Sequence, residues 1–204
     1  MILRIAGILP CSFVNGDGAR YVVFTQGCSH HCPGCQNPET WDFTGGLEMT
    51  PAEIAEDFRR RKHLDGITLS GGDPFFQQEA CLKLLELLPE VNAWVYTGFE
   101  YEDICNTPLA KRADVLVVGP FSEQLRCEGK PYGSSNQRVI RKPLKIVEVD
   151  PSIQKSVKAN DGYCPCAIWQ TPDTKCMCKE FRDQKEPGKC HCGRFEKVAD
   201  EGTL

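Results

Sequence analysis

Nine of the thirteen cysteines in this 204-residue chain fall in two short groups, and these groups limit the possible folds more than any other feature. Three are Cys28, Cys32 and Cys35, within Gly27-Cys-Ser-His-His-Cys-Pro-Gly-Cys-Gln36. Six form three Cys-x-Cys dyads: Cys164-Pro-Cys166, Cys176-Met-Cys178 and Cys190-His-Cys192. Met1-Ile-Leu-Arg4 lacks the layout of an export signal, so a reducing, cytoplasmic setting is expected. Clustered thiols there read as metal ligands or redox groups rather than structural disulfides. The scattered Cys11, Cys81, Cys105 and Cys127 are expected to be buried small hydrophobes.

The spacing of the first group narrows its chemistry. A structural zinc site closes with four ligands, usually as two Cys-x2-Cys pairs far apart. Here Cys-x3-Cys-x2-Cys puts three thiolates on one tight loop. Thiolates select zinc or iron–sulfur. A four-iron cube with three protein ligands leaves one iron open to a small molecule. Zinc with His30 or His31 as fourth ligand is the alternative, although both histidines are expected to stand in the loop or behind the ligands.

From Tyr21 to about Ile140, strand and helix signals alternate. Strands are predicted at residues 21–26, 66–70, 93–97 and 114–118, each closed by glycine. Thr50-Pro-Ala-Glu53 is a capping box with proline in the first helical position. Cys81, Leu84, Leu85 and Leu88 share one helix face, and a helix is predicted over 101–111. The repeat argues for a parallel sheet with covering helices. A closed eight-unit barrel takes ~250 residues, so the expected fold is α/β, a partial, open β/α barrel. Ligands in such sheets gather at strand carboxyl ends. Cys28 and Gly71-Gly72-Asp73-Pro74 should therefore share one rim.

Other functions are excluded by charge and hydropathy. Formal net charge is −4, and the basic run Arg59-Arg-Arg-Lys62 complements a helix carboxyl end, so no nucleic-acid partner is expected. No stretch approaches the roughly 18 apolar residues of a membrane span. The domain reading is 1–143, a connector over 144–160 with some β character, and a cysteine-rich domain over 161–204. A segment of ~44 residues rarely builds a sufficient core without staples or metal. Six thiolates exceed the four that a cube takes. The leftover pair invites disulfide chemistry. A zinc site would also use four, but zinc ribbons favour Cys-x2-Cys knuckles, and the tail has none.

Cys-x3-Cys-x2-Cys after the first predicted strand, with Ser70-Gly-Gly-Asp-Pro74 after the second, resembles the radical S-adenosylmethionine (SAM) enzymes. The resemblance implies a [4Fe-4S] cluster on Cys28, Cys32 and Cys35, an open iron that chelates SAM, and release of a 5′-deoxyadenosyl radical. It further implies SAM contacts from Gly34, Cys35, Gln36, Gly71, Gly72, Asp73, Asn136 and Arg138. Gln36 stands where many members carry an aromatic residue, which leaves a backbone contact to adenine. Phe13-Val-Asn-Gly-Asp-Gly-Ala-Arg20, Cys32-Pro-Gly-Cys-Gln-Asn-Pro-Glu-Thr-Trp41, Val95-Tyr-Thr-Gly-Phe99, Asp114-Val-Leu-Val-Val-Gly-Pro-Phe121 and Gly133-Ser-Ser-Asn-Gln-Arg138 resemble, more narrowly, the activating proteins of anaerobic ribonucleoside-triphosphate reductase. That likeness, over about residues 1–141, implies hydrogen abstraction from a backbone glycine of the reductase. Another glycyl-radical enzyme or a small molecule is the alternative target.

The tail's dyad order, with Trp169, Lys179-Glu-Phe181 and Gly193-Arg-Phe195, resembles the catalytic chain of ferredoxin–thioredoxin reductase. The resemblance implies a second [4Fe-4S] cluster on Cys164, Cys176, Cys178 and Cys190, and a redox disulfide between Cys166 and Cys192. His191 would be the proton donor, and a ferredoxin- or flavodoxin-type protein the electron donor. A zinc-bound docking tail is the rival reading.

Overall fold

The computed structural model describes residues 1–130, 132–184 and 188–201. Two compact units are built on Met1–Ile140 and Arg141–Asp200.

The first unit is a mixed α/β structure. Its strands are β1 (Leu3–Ser12), β2 (Arg20–Thr25), β3 (Leu47–Met49), β4 (Gly66–Gly71), β5 (Asn92–Tyr96) and β6 (Val115–Val118), in the spatial order β3-β1-β2-β4-β5-β6. β2, β4, β5 and β6 are parallel neighbours, and β1 is antiparallel to β2 and β3. The four predicted strands are all present. β1 and β3 add to them.

Alternation along the strands sorts the two faces. Tyr21 points toward helix α1 (Pro51–Arg59), where its ring meets Phe58 edge-on at 5.6 Å and its hydroxyl donates to Asp57 at 2.7 Å. The other face carries Phe24 opposite Ser70, Trp94 opposite Val115 and Tyr96 opposite Val117. Trp94, Val115, Val117 and Val139 form a buried apolar cluster there, with Tyr96 and Tyr132 against it.

Helix boundaries follow local chemistry. The predicted capping box starts α1: Thr50 Oγ1 accepts from the Glu53 amide, and the Glu53 carboxylate accepts from the Thr50 amide at 2.7 Å. α2 spans Gln78–Glu86. The helix expected over 101–111 is two short ones, α3 (Tyr101–Ile104) and α4 (Pro108–Arg112). Proline inside a helix costs an amide donor. Thr107-Pro108 therefore starts a new helix, with Thr107 Oγ1 capping the Ala110 amide.

The second unit holds most of β7 (Arg138–Glu148), then α5 (Ile153–Ala159), α6 (Lys179–Asp183), β8 (Gly188–Lys189) and β9 (Phe195–Glu201). β9 lies between β7 and β8. The stretch expected as a connector, 144–160, is largely a strand end and a helix. Among this unit's described residues the buried apolar side chains are Val157, Cys164, Phe181 and Cys190. Two of these four are dyad cysteines, so the thiols are part of its small core.

Candidate functional site

The parallel strands end around one cavity of about 420 Å³ in the first unit. Cys28, Cys32 and Cys35 line it together with Gly71 and Gly72. The two motifs that the sequence places on one rim do meet there. Remaining walls include Gln36, Tyr96, Thr97, Gly98, Phe121 and Gln137.

Backbone bonds lock the two motifs together. The Gly72 amide donates to Thr25 O at 2.8 Å, and the Asp73 amide to Gly27 O at 3.0 Å. Side chains are excluded at this crossing. A Cβ on Gly72 would stand 2.5 Å from Gly27 O, and one on Gly71, whose φ is +97°, would stand 2.7 Å from Phe24 Cα. The glycine pair is thus required by the approach of β4 to the cysteine loop, quite apart from any ligand. On the other side, the Gly27 amide donates to Thr40 O and the Cys28 amide to Trp41 O. Buried Gln26 donates to Asp42 O at 2.7 Å. The cysteine loop is held at both ends.

Asp73 is fully buried and lies behind the wall rather than in it. Its Oδ2 accepts from Thr97 Oγ1 at 2.7 Å and from the Gly98 amide at 2.9 Å, and faces His30 Nε2 at 2.9 Å. Its Oδ1 accepts from the Phe75 amide at 2.9 Å. His30 also packs edge-on against Phe99 at 4.7 Å, so it orients the loop. His31 rests on Trp41 at 4.8 Å.

The donor set fits an iron–sulfur cluster. The His30 amide donates to Cys28 Sγ, and the Asn37 amide to Cys35 Sγ at 3.4 Å. Such N–H donors favour the thiolate, the ligating form. Burial nonetheless pushes the Cys28 thiol up in the absence of metal charge. Among the described residues, no three His, Cys, Asp or Glu side chains converge as the ligands of a single ion would. Zinc requires sulfurs at ~2.3 Å from one centre, whereas a cube binds each thiolate to a different iron.

Several other expected site residues stand elsewhere. Gly34 is exposed and outside the cavity wall. Asn136 Nδ2 donates to Pro120 O at 2.8 Å, and Arg138 pairs with Glu102 at 2.9 Å, also away from the wall. Gln137, between them, lines the cavity. Its Oε1 accepts from the Gly133 and Ser134 amides at 2.9 and 3.2 Å, and its Nε2 donates to Gly119 O at 3.0 Å. The residue type gave no signal, since only the turn at 133–137 aims the side chain inward. The scattered cysteines are also corrected. Only Cys81 is buried; Cys11 is exposed, Cys105 and Cys127 are half-buried, and Cys127 lines the cavity. Cys11 sits at the exposed end of β1, Cys105 follows α3 and Cys127 stands in a loop, so none of the three enters the apolar core.

In the second unit the dyads converge. Tyr163 bridges to Lys175, and the Cys164 amide donates to Thr174 O at 2.9 Å, which sets the first dyad beside the second. The third dyad is a turn closed by Gly193 N to Cys190 O at 2.8 Å. Cys192 Sγ lies 3.6 Å from Cys190 Sγ and pairs with Cys164. Cys166 is exposed, its sulfur 3.9 Å from His191 O. His191 itself is exposed. None of the six is joined in a disulfide. Burial, above all, pushes the Cys192 thiol up to about 12. The Phe195 amide donates to Cys190 Sγ at 3.2 Å, and Arg194 to Cys176 Sγ at 3.7 Å. N–H donors thus reach two of these sulfurs and favour the thiolate, the form that ligates a metal.

Among the described residues, no helix is long and apolar enough to cross a membrane. The family model of a 4Fe-4S single cluster domain matches residues 14–140, which ends before the first dyad. The activating protein of the anaerobic ribonucleoside-triphosphate reductase of enterobacteria phage T4 is 36% identical over 140 residues, 65% of this chain and 90% of its own length. The Escherichia coli K12 protein of that name is 36% identical over 143 residues, covering 64% and 93%. A solved structure, QueE from Escherichia coli, is similar over 48% of this chain and 53% of its own, at 16% identity and a TM-score of 0.36. On the family model and the relatives' near-complete coverage, the chain belongs to the family of anaerobic ribonucleoside-triphosphate reductase-activating proteins, with a 4Fe-4S single cluster domain.

Proposed function

We propose that this chain is a radical SAM activating enzyme that generates the glycyl radical of an anaerobic ribonucleoside-triphosphate reductase, and that its tail is an appended [4Fe-4S]/disulfide redox unit. The observation that carries the reading is one cavity lined by Cys28, Cys32 and Cys35 and by the Gly71-Gly72 wall. When bound there, a [4Fe-4S] cluster supplies the electron that splits the sulfonium carbon–sulfur bond of SAM.

The chain's own residues do the rest. Cys28, Cys32 and Cys35 would hold three irons and leave the fourth for the amino and carboxylate groups of SAM. Gly71 and Gly72 present backbone without side chains, and Cys35 and Gln36 face the same space. Asp73 holds the loop through His30 rather than touching SAM. Gln137 fixes the far wall by spending both ends of its amide on backbone groups. A partial, open barrel would leave a lateral face that suits a protein loop as substrate.

In the tail, Cys164, Cys176, Cys178 and Cys190 would ligate a second cluster, with Cys166 and Cys192 as the redox pair and His191 as proton donor. The exposure of Cys166 and His191 supports a role toward a partner. Ribonucleotide reduction consumes a thiol pair, so a disulfide-reducing unit has a chemical logic beside the radical domain. A ferredoxin- or flavodoxin-type protein would supply its electrons.

The test is anaerobic reconstitution followed by incubation with SAM, a low-potential reductant and the reductase. A glycyl radical doublet in electron paramagnetic resonance, with 5′-deoxyadenosine formed, is expected. Deoxyadenosine without the doublet would move the target to another glycyl-radical enzyme or a small molecule. Neither product would overturn the radical SAM reading.

A further inference from the structure

Arg194 is held against the dyads by three contacts. Its Nε lies 2.8 Å from Glu148 Oε1, its guanidinium lies over the Phe195 ring at 4.7 Å, and it donates to Cys176 Sγ at 3.7 Å. The side chain is only 12% exposed, while that of Glu148 is 40% exposed. The cation is therefore on the sulfur side of the pair and the anion on the solvent side. The adjacent amide of Phe195 donates to Cys190 Sγ at 3.2 Å.

Reduction adds one negative charge to a cluster. Nearby positive charge and N–H donors to its sulfurs stabilise that form and raise the potential. A guanidinium keeps its charge at any working pH, and its planar fork can serve Glu148 and a sulfur together. Low exposure limits solvent screening of the interaction.

We propose that Arg194 raises the reduction potential of the tail cluster through Cys176, with Glu148 as the opposing charge that anchors and moderates it. This rests on the reading that Cys176 and Cys190 ligate a four-iron cluster. Arg194 acts as a tuning residue, and the electron itself comes from the ferredoxin-type donor named above.

The test uses the full chain carrying Cys28→Ser, Cys32→Ser and Cys35→Ser, so that only the tail cluster titrates, at ionic strength near 10 mM. Iron is counted first. About four irons per chain are expected, and none would sink the tail-cluster reading before the tuning question arises. Midpoint potentials are then compared for Arg194→Gln and Glu148→Gln. Removing the cation leaves a net negative neighbour, so Arg194→Gln should shift the midpoint negative. The reduction equilibrium constant should fall roughly tenfold, about 59 mV for a one-electron couple. Removing the anion should shift the midpoint positive. Opposite shifts are not what simple loosening of the turn would produce. Wild-type midpoints in the loaded variants, or shifts of the same sign, overturn the proposal. An Arg194→Gln protein that takes up no iron assigns the residue to assembly and also overturns it, unless Glu148→Gln is loaded and shifts positive.

Discussion

His30 Nε2 and Asp73 Oδ2 stand 2.9 Å apart and join the cysteine loop to the loop after β4. The same oxygen takes Thr97 Oγ1 and the Gly98 amide, so one buried carboxylate fixes three strand-end segments around the cavity. Asp73 therefore governs the site without lining it.

Asp73→Ala would leave the Phe75 and Gly98 amides, Thr97 and His30 without their acceptor. Unsatisfied buried donors cost ~1–3 kcal/mol each before relaxation, and a net loss of about 3 kcal/mol is expected. Urea unfolding under anaerobic conditions measures it. Asp73→Asn keeps one acceptor and should lose less. A neutral result for Asp73→Ala would show that this network does not hold the site.

Gly72→Ala places a methyl 2.5 Å from Gly27 O. Overpacking of this kind costs ~1–3 kcal/mol, here by forcing β4 away from the cysteine loop. Iron and sulfide retained at the first site should drop well below wild type, while tail iron is unchanged. Equal iron in the mutant would mean that the loops can separate freely.

Full reconstitution should give about eight irons per chain, from four per cube. About four irons plus one zinc would end the tail-redox reading, because zinc has no redox chemistry. If two cubes form, a Cys166→Ser/Cys192→Ser double variant should keep both and lose only disulfide reduction. Loss of the tail cluster would show that the ligand assignment is wrong. The 3.6 Å approach of Cys192 to Cys190 makes this the sharper half of the experiment.

Gln137→Ala removes the brace between Gly119 and the 133–134 turn. SAM affinity should fall about tenfold, roughly 1.4 kcal/mol, with the iron content unchanged. Asn136→Ala and Arg138→Ala should change affinity less, since Asn136 bonds to Pro120 O and Arg138 pairs with an exposed Glu102. Equilibrium binding of SAM to the reconstituted variants ranks the three.

Legibility was uneven for physical reasons. β2, β4, β5 and β6 were readable because each is a short apolar run closed by glycine. β1 was not, because its burial fades from Leu3 and Ile5 to exposed Leu9 and Cys11, which blurs the alternation. Cys28, Cys32 and Cys35 were readable because ligand spacing is local. Gln137 was not, because a glutamine acquires its role only from the backbone around it.

What the chain determined by itself is the chemistry that depends on neighbours in sequence: three thiols on one loop, three dyads, a capping box at Thr50 and the prolines that divide helices. The tertiary structure decided which of these groups meet. Parallel register sets Thr25 beside Gly71, and a part-buried contact spanning 43 residues ties Asp73 to His30 of the cysteine loop. Such contacts depend on packing between distant segments. No local pattern specifies them.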